Sequence, residues 1–268
     1  MQFSSTKESM IQMNDEIKTL TEWIQKSQNI VFFGGAGVST ESGIPDFRSE
    51  SGIYQKEYLC NGRKVSPEEC LSIDFALKHP DIFYDYYIHE FIHPTALPND
   101  AHLVLAELER MGKLKSVITQ NVDSLHQKAG SQKVLEVHGT VATYSCQNCH
   151  RSYTHEDVMH QLETSNVARC TCGGMIRPDI VFYGEPLPTG VFEKAIHDVA
   201  HADVFIVAGT SLNVYPAANL MNYYRGNKCA LINLQKTPYD SVADLIIHDK
   251  CGKVLKEVMN NISTITDL

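Results

Sequence analysis

Short runs of apolar residues recur along the chain, and segments with helical spacing separate most of them. The first run, IVFF at 30–33, predicts a strand that is buried on both faces. Similar runs follow: SVIT from 116, VLEV from 134, DVFIVAG from 203, ALINL from 230 and ADLII from 243. Buried strands that alternate with helices predict an α/β fold around a parallel sheet.

Two segments show the helical pattern most clearly. Near the N-terminus, three apolar residues recur at helical spacing: Ile17, Leu20 and Ile24. This pattern predicts a helix that Asn14 caps, preceded by a loose N-terminal arm over 1–13. The segment DAHLVLAELERMG at 100–112 predicts a second helix, with Gly112 as its C-terminal glycine.

Two stretches break the alternation and are predicted to be insertions. Residues 50–98 are aromatic, have helical spacing and show no clear strands. Residues 141–179 contain four clustered cysteines between short polar segments. The remaining parts, 14–49, 99–140 and 180–268, predict one Rossmann-like domain with helices on both faces of its sheet.

Composition and charge mainly exclude classes of protein. The 268 residues are 43% hydrophobic and 21% charged, as in an ordinary soluble globular protein. The net charge of −9 argues against nucleic-acid binding, which normally uses a basic surface. No apolar run approaches the roughly 18 residues that a spanning helix needs, and no signal-peptide pattern is present. We therefore expect a cytoplasmic protein without a membrane partner.

The strand at 30–33 leads directly into a glycine loop, GGAGVST. Glycines let a backbone approach a pyrophosphate, and a following helix would supply free N–H groups. Gly35 and Gly37 fit the G-x-G-x-x-G pattern, but Thr40 replaces the third glycine, so a tight turn without a ligand is also possible. The acidic residue of a Rossmann dehydrogenase is missing, and the segment around Pro45 predicts a mobile cover instead.

Polar side chains follow two later strands. Gln120, Asn121 and Asp123 come after the strand at 116–119, at an edge where α/β sheets bind ligands. The alternative is a turn that bonds only to itself. His138 ends the strand that begins at 134, and an imidazole with a pKa near ~6.5 can serve as a general base. Because the chain has twelve histidines, a structural role is the alternative.

Four cysteines have metal-ligand spacing: Cys146 and Cys149 in CQNC, and Cys170 and Cys172 in CTC. Four thiolates would close a tetrahedral zinc site with no open position, so the zinc would be structural. Unligated or disulfide-bonded thiols are the alternative, and His150 offers a substitute ligand. The other four cysteines lack such spacing and are predicted to be small apolar residues: Cys60, Cys70, Cys229 and Cys251.

Several longer motifs follow one another along the chain: GAGVSTESGIPDFRS, TQNVDSLHQKAG, EVHGT, the cysteine pairs, RPDIVFYGE, GTSLNVYPA and INLQ. In this order they resemble the motifs of the sirtuins, the NAD-dependent protein lysine deacylases. The resemblance covers residues 14–260. It departs from the family at the second cysteine pair, which is C-x-C where C-x-x-C is usual.

The resemblance implies that NAD is a consumed co-substrate and that the lysine acyl group moves to ADP-ribose as nicotinamide leaves. His138 would be the general base, and Asn121 would be a second catalytic residue. One structural zinc would occupy the four clustered cysteines. The implied NAD contacts are Gly35, Ala36, Gly37, Thr40, Asp46, Phe47, Arg48, Gln120, Asn121, Val122, Asp123, His138, Gly209, Thr210, Ser211, Asn233 and Cys251.

The resemblance also implies that an acylated peptide adds as a strand between 177–185 and 209–217. Phe47, Val181 and Phe182 would line the acyl-lysine tunnel, although the last two could equally be core residues. Sirtuins that remove acidic acyl groups carry a Tyr and an Arg three residues apart. The matching residues here are Tyr84 and Tyr87, so we expect neutral acyl groups such as acetyl.

Three other activities remain open. A mono-ADP-ribosyltransferase would use the same NAD site but leave the label on protein. A dehydrogenase would reduce the nicotinamide, although its ribose-binding acid is missing. A non-catalytic, NAD-responsive binding module would keep its role without His138.

Overall fold

The computed structural model of the chain describes residues 2–50, 52–56, 58–60 and 62–266, with side chains from 12 to 263. Its largest sheet has six strands, all with parallel neighbours. These strands are β1 (Ile30–Gly34), β4 (Leu114–Thr119), β5 (Val134–Glu136), β9 (Val204–Ala208), β10 (Cys229–Ile232) and β11 (Leu245–Ile247). Every strand that the apolar runs predicted is therefore present, and the α/β class is confirmed.

The strand order is β11-β10-β9-β1-β4-β5. The chain builds outward from β1 through β4 and β5, then returns to the other side of β1 with β9. This is the Rossmann order, and its direction reverses between β1 and β9. Ligands of open α/β sheets bind beyond the carboxyl ends of the strands at such a reversal, so the topology itself locates a site.

The central strands are apolar on both faces because helices cover both. Ile30 and Phe32 of β1 belong to one core, while Val31 and Phe33 belong to the other. The helices of the first core are α1 (Gln2–Lys26), α5 (Asp100–Arg110) and α9 (Cys251–Thr266). The short helix α6 (Leu125–Lys128) packs against α5. The second core is covered by α8 (Thr189–Ala200) and the 3-10 helix Ala217–Tyr223.

The two predicted helices have different outcomes. Helix α5 is followed by Gly112 with φ +75°, as predicted for its C-terminal glycine. Helix α1 already begins at Gln2, so Asn14 lies inside it and the predicted N-cap is wrong. The segment 2–13 contains neither glycine nor proline, so nothing in it stops the helix. No helix in the described part of the chain is long and apolar enough to cross a membrane.

The described residues of the aromatic insertion form three α-helices, the 3-10 turn Ile53–Gln55 and a short hairpin. The helices are α2 (Pro67–Cys70), α3 (Ile73–Lys78) and α4 (Pro80–Phe91). The hairpin pairs β2 (Tyr58–Cys60) with β3 (Arg63–Val65), whereas the sequence indicated no strands here. Strands of three residues are too short to show a period-two pattern, which explains the error.

The cysteine-rich insertion forms an antiparallel sheet with the strand order β7-β6-β8. These strands are β6 (Gly139–Cys146), β7 (Ser152–Thr154) and β8 (Ile176–Ile180), and α7 (His155–Leu162) packs on them. The sheet begins at Gly139, directly after His138. A Cβ on Gly139 would lie 2.0 Å from the Asp179 carbonyl oxygen, and its φ is +75°, so only glycine fits.

Candidate functional site

One cavity of about 380 Å³ lies beyond the carboxyl ends of β1, β4, β9 and β10, where the strand order reverses. All the residues that the sequence assigned to NAD or to acyl-lysine line it. They are Gly35, Ala36, Gly37, Thr40, Asp46, Phe47, Arg48, Gln120, Asn121, Val122, Asp123, His138, Val181, Phe182, Gly209, Thr210, Ser211, Asn233 and Cys251.

Glycines allow two strand-end loops to interlock on one side of the cavity. A Cβ on Gly37 would lie 2.7 Å from the Gly209 Cα, and a Cβ on Gly35 would lie 2.8 Å from the Thr210 Cβ. Gly209 has a φ of +58°, and its own Cβ would lie 2.4 Å from the Val38 nitrogen. These glycines are needed for two backbones to touch, and their contact brings both loops to the cavity where the sheet topology places a dinucleotide.

The glycine loop does not continue into an α-helix. Two 3-10 turns, Ala36–Val38 and Thr40–Ser42, follow it instead, so the predicted helix is wrong. Gly43 has a φ of +84° and ends the second turn. Glycine and β-branched residues have low helix propensity, which accounts for the short turns. The N–H groups of Gly37, Val38 and Ser39 are bonded within the protein, so the loop presents no helix N-terminus to a ligand.

The segment after the glycine loop folds back on itself beside the cavity. The N–H of Ile53 donates to the Asp46 carbonyl at 2.8 Å, and that of Tyr54 donates to the Phe47 carbonyl at 2.9 Å. The Phe47 ring lies 5.4 Å from the Tyr54 ring, and the Arg48 guanidinium lies 5.2 Å from the same ring. Tyr54 and Arg48 thus form an aromatic and cationic wall; that this segment moves as a cover stays a prediction.

The polar loop after β4 is held by a serine that the sequence analysis missed. Ser39 Oγ donates to Asp123 Oδ2 at 2.7 Å and accepts from Asn121 Nδ2 at 3.0 Å. Gln120 Nε2 donates to Thr210 Oγ1 at 2.9 Å. Ser39 is only 1% exposed. A serine within a glycine-rich turn gives no signal of its own, because its partners lie more than 80 residues away.

His138 has one ring nitrogen engaged and one available. Its Nδ1 lies 3.2 Å from the Gln120 carbonyl oxygen, which can only accept a hydrogen bond. Nδ1 therefore carries the proton, and Nε2 keeps its lone pair. Burial lowers the pKa of His138, so the ring is neutral at neutral pH. This arrangement is that of a general base.

The opposite wall of the cavity follows strand β8. The Val181 N–H donates to the His138 carbonyl at 2.9 Å, which ties this wall to the histidine. Phe182 is 2% exposed, and its ring lies 5.2 Å from the Phe83 ring. Phe182 is therefore both a core residue and a wall of the cavity, so the two interpretations of it are compatible.

Tyr84 and Tyr87 do not line the cavity. The Tyr84 hydroxyl donates to the Ile176 carbonyl, and the Tyr87 hydroxyl lies 2.9 Å from the Tyr144 hydroxyl. Both side chains are at most 1% exposed and tie α4 to the antiparallel sheet. The expected preference for neutral acyl groups stays a prediction.

Asn233 and Cys251 lie at the end of the cavity beside β10. Asn233 Nδ2 donates to the Gln235 carbonyl at 2.8 Å. Cys251 begins α9, and Glu41 caps this helix by accepting the Gly252 N–H at 2.7 Å. A thiol as buried as Cys251 can offer a ligand only its backbone. The same burial describes Cys60, Cys70 and Cys229, which confirms that these four cysteines are small core residues.

The four clustered cysteines come together away from the cavity. Their sulfurs lie within 4.8 Å of one another, with Cys146–Cys172 and Cys149–Cys170 both at 3.5 Å. A tetrahedral zinc with bonds of about 2.3 Å places its sulfurs roughly 3.8 Å apart, so the cluster fits this metal. Both cysteines of the C-x-C pair belong to it, and the cluster does not include His150.

A pair of buried histidines lies behind the polar loop. His102 and His126 are at most 1% exposed, and their rings lie 4.7 Å apart. The His102 Nδ1 accepts the Asn99 N–H at 3.2 Å. Burial lowers the pKa of His102 to about 4 and that of His126 to about 3. Both rings are therefore neutral members of the core at neutral pH.

Comparisons with known proteins agree with this site. The Sir2 family model matches residues 35–216. The chain is 49% identical over 250 residues to an NAD-dependent protein deacetylase of Clostridium perfringens, across 92% of this chain and 100% of that one. It is 43% identical over 248 residues to a Staphylococcus aureus protein of the same name, across 92% and 99% of the two chains.

Solved structures show the same likeness. A Sir2 enzyme with a deacetylated p53 peptide and 3′-O-acetyl ADP-ribose superposes with a TM-score of 0.84 at 42% identity, over 91% of this chain and 98% of that one. A Sir2 complex with a p53 peptide and NAD⁺ superposes with a TM-score of 0.80 at 40% identity, over 92% and 99%.

Proposed function

Because this chain belongs to the Sir2 family, we propose that it is an NAD-dependent protein lysine deacetylase. With the consumption of one water, it transfers the acyl group from lysine to ADP-ribose and releases nicotinamide and free lysine. One observation carries this proposal: His138, the interlocked glycine loops and the Val181–Phe182 wall all line the same cavity. NAD, consumed as a substrate, supplies the ribose that receives the acyl group.

His138 is the general base. Its Nδ1 proton is committed to the Gln120 carbonyl, so Nε2 is the atom that accepts a proton from a ribose hydroxyl. The lowered pKa keeps the ring in its neutral form at physiological pH. The backbone carbonyl of the same residue holds Val181, so the base and the peptide wall keep a fixed separation.

Asn121 and Asp123 orient the nicotinamide end of NAD. The Ser39 hydroxyl joins their side chains, which supports a fixed arrangement that needs no reorganisation when substrate binds. Gln120 and Thr210 are joined in the same way beside the ribose. The glycine loops receive the pyrophosphate, and Asn233 and Cys251 contact the adenosine end.

Zinc has a structural role in this scheme, since four sulfurs leave it no open position. The cluster instead stabilises the sheet that carries β8 and the peptide wall. We assign residues 14–49, 99–140 and 180–268 to the NAD-binding domain, 50–98 to the helical insertion and 141–179 to the zinc module. Eight free cysteines suit a reducing compartment, so we place the protein in the cytoplasm; cell fractionation tests this.

The zinc-loaded protein should be incubated with NAD and an acetyl-lysine peptide and analysed by mass spectrometry. We expect equal amounts of nicotinamide, deacetylated peptide and acetylated ADP-ribose. Label from ³²P-NAD that stays on protein while the peptide keeps its acetyl group would instead support ADP-ribosyl transfer. A panel of acetyl, propionyl and succinyl peptides would test the expected preference for neutral groups. Unchanged NAD and peptide would contradict the proposed function.

A further inference from the structure

The segment from Val181 to Glu185 extends beyond β8, which is an edge strand of its sheet. It lines the cavity along its length. Among the described residues, the Val181 carbonyl accepts no hydrogen bond and the Gly184 N–H donates none. Tyr183 between them is already bonded, because its N–H donates to the Leu71 carbonyl at 2.9 Å and its carbonyl accepts the Ile73 N–H at 3.2 Å. The Val181 carbonyl and the Gly184 N–H are therefore the groups available to an extended peptide.

The Arg177 side chain packs against this segment and bonds to its last residue. Both terminal nitrogens of Arg177 donate to the Glu185 carboxylate, with Nη2 2.8 Å from Oε2. Nη2 also donates to the Ile180 carbonyl at 2.6 Å. The guanidinium carbon lies 4.1 Å from the centre of the Phe182 ring. Arg177 thus contacts Ile180, just before the segment, and Phe182 and Glu185 within it.

Glu185 completes the arrangement through the backbone. Its Oε2 accepts the Phe182 N–H at 2.9 Å, and its own N–H donates to the Phe182 carbonyl at 3.0 Å. The turn from 182 to 185 is therefore closed by a side chain as well as by the backbone. We call the Arg177–Glu185 ion pair the edge clasp.

The edge clasp is shielded from water. The Arg177 side chain is 12% exposed and that of Glu185 is 24% exposed, whereas the surface pair Arg110–Glu107 is 74% and 38% exposed. Burial alone would raise the pKa of Glu185, but the hydrogen bonds from Arg177 and Phe182 lower it overall. Two-pronged Arg–carboxylate pairs fix geometry more strictly than single contacts do.

We propose that Arg177 and Glu185 are positioning residues for the acylated peptide, an inference that rests on the proposed deacetylase function. The edge clasp keeps the Val181 carbonyl and the Gly184 N–H in register with the peptide backbone. It also keeps the Phe182 ring against the wall of the cavity. The edge clasp and the interlocked glycine loops have no residue in common. Loss of the clasp should therefore weaken peptide binding more than NAD binding.

Three variants test this inference. Glu185→Gln keeps the shape of the side chain and removes its charge. Arg177→Lys keeps the charge and removes the two-pronged guanidinium. Arg110→Lys makes the same change in the surface pair and is the control. For Glu185→Gln we expect the KM for an acetyl-lysine peptide to rise about tenfold, or about 1.4 kcal/mol. We expect its kcat to stay within threefold and its KM for NAD to stay unchanged. Arg177→Lys should raise the peptide KM about threefold, and Arg110→Lys should leave it unchanged.

A truncated substrate separates positioning from general support of the fold. An acetyl-lysine amide lacks the peptide groups of flanking residues and cannot form a ladder along the segment, so the variants should raise its KM less than twofold. Equal increases for both substrates would contradict the inference. So would a fall in melting temperature and kcat with the peptide KM unchanged, since that pattern is purely structural.

The failure of this inference is distinguishable from failure of the proposed function. Wild-type protein that does not release nicotinamide with an acetyl peptide would overturn the proposed function itself. Active wild type with a normal peptide KM in both clasp variants would overturn only the clasp. If Glu185→Gln does not fold, Arg177→Lys still tests the inference. It keeps a cation beside Glu185, so the carboxylate is not left buried without a partner.

Discussion

The two walls of the cavity are built by different means. The nucleotide wall belongs to the parallel sheet, whose central strands are completely buried, and its loops cross where side chains are missing at Gly35, Gly37 and Gly209. The peptide wall belongs to an edge strand of a small sheet, and side-chain pairs hold it. The nucleotide wall therefore depends on two backbones in direct contact, while the peptide wall depends on particular side-chain contacts.

His138 lies where the two walls meet, so removing its side chain should have the largest effect. We expect His138→Ala to lower kcat by about 100-fold to 10,000-fold, the usual contribution of a general base. The backbone carbonyl that holds Val181 is unchanged by this substitution, so both walls should persist.

Calorimetry should accordingly find NAD and acetyl-peptide affinities within threefold of wild type for His138→Ala. His160→Ala, on the exposed side of α7, is the matched control and should keep full activity. A His138→Ala protein that still deacetylates at the normal rate would show that another group is the base.

Loss of the metal should lower the thermal stability of the peptide wall more than that of the nucleotide wall. In Cys146→Ala, we expect the antiparallel sheet to melt at least about 10 °C below the parallel sheet, because structural zinc contributes several kcal/mol of folding free energy. NAD should still protect the parallel sheet. Differential scanning calorimetry and zinc analysis measure both effects.

Cys60→Ala removes a buried thiol outside the cluster and is the control for the metal experiment. It should keep one equivalent of zinc and a single transition. An unchanged melting profile in a zinc-free Cys146→Ala protein would mean that the metal does not support the peptide wall.

Acid should weaken the core behind the nucleotide wall. Unfolded histidines take up protons below pH ~6.5, whereas His102 and His126 do so only near pH 4 and pH 3 when folded. Stability is therefore complete above pH ~6.5 and falls as the pH drops toward 4. By pH 5 the loss should be about 2 kcal/mol for each histidine.

Urea unfolding at pH 7, 6 and 5 measures this loss. His126→Gln should halve the loss of unfolding free energy between pH 7 and pH 5, whatever the substitution itself costs in stability. An equal free energy of unfolding at pH 7 and pH 5 would contradict the lowered pKa values of His102 and His126.

The smallest effect should come from adding a side chain at the glycine crossing. A methyl group at Gly37 would lie 2.7 Å from the Gly209 Cα, so the two loops must separate slightly. We expect Gly37→Ala to raise the KM for NAD at least about tenfold, or about 1.4 kcal/mol, with the peptide Kd unchanged. Gly190→Ala, where an added Cβ meets nothing within 4 Å, is the control. A larger effect on peptide binding than on NAD binding would contradict the division between the walls.

The sequence predicted the nucleotide wall better than the peptide wall. Apolar runs such as IVFF identify strands buried on both faces, and parallel strands bring their carboxyl ends to one edge. Gln120 and His138 could be placed at the cavity for this reason, before any contact was known.

What the sequence did not predict depends on contacts between distant residues. Ser39 bonds to Asp123, and Arg177 closes on a turn that is defined only once β8 has formed. The hairpin of β2 and β3 is too short to leave a pattern, and the start of α1 lacks a stop signal. Side-chain pairing across the fold is therefore the part that periodicity cannot supply.

The single tryptophan, Trp23, lies on α1 and packs against the core beside the parallel sheet. Its emission will therefore follow the nucleotide-binding half of the molecule alone, while tyrosines such as Tyr144 and Tyr153 belong to the metal-dependent half. The protein therefore contains an intrinsic tryptophan probe in only one of its two halves. Tryptophan emission can thus report the unfolding of the half that contains the parallel sheet, without any added dye.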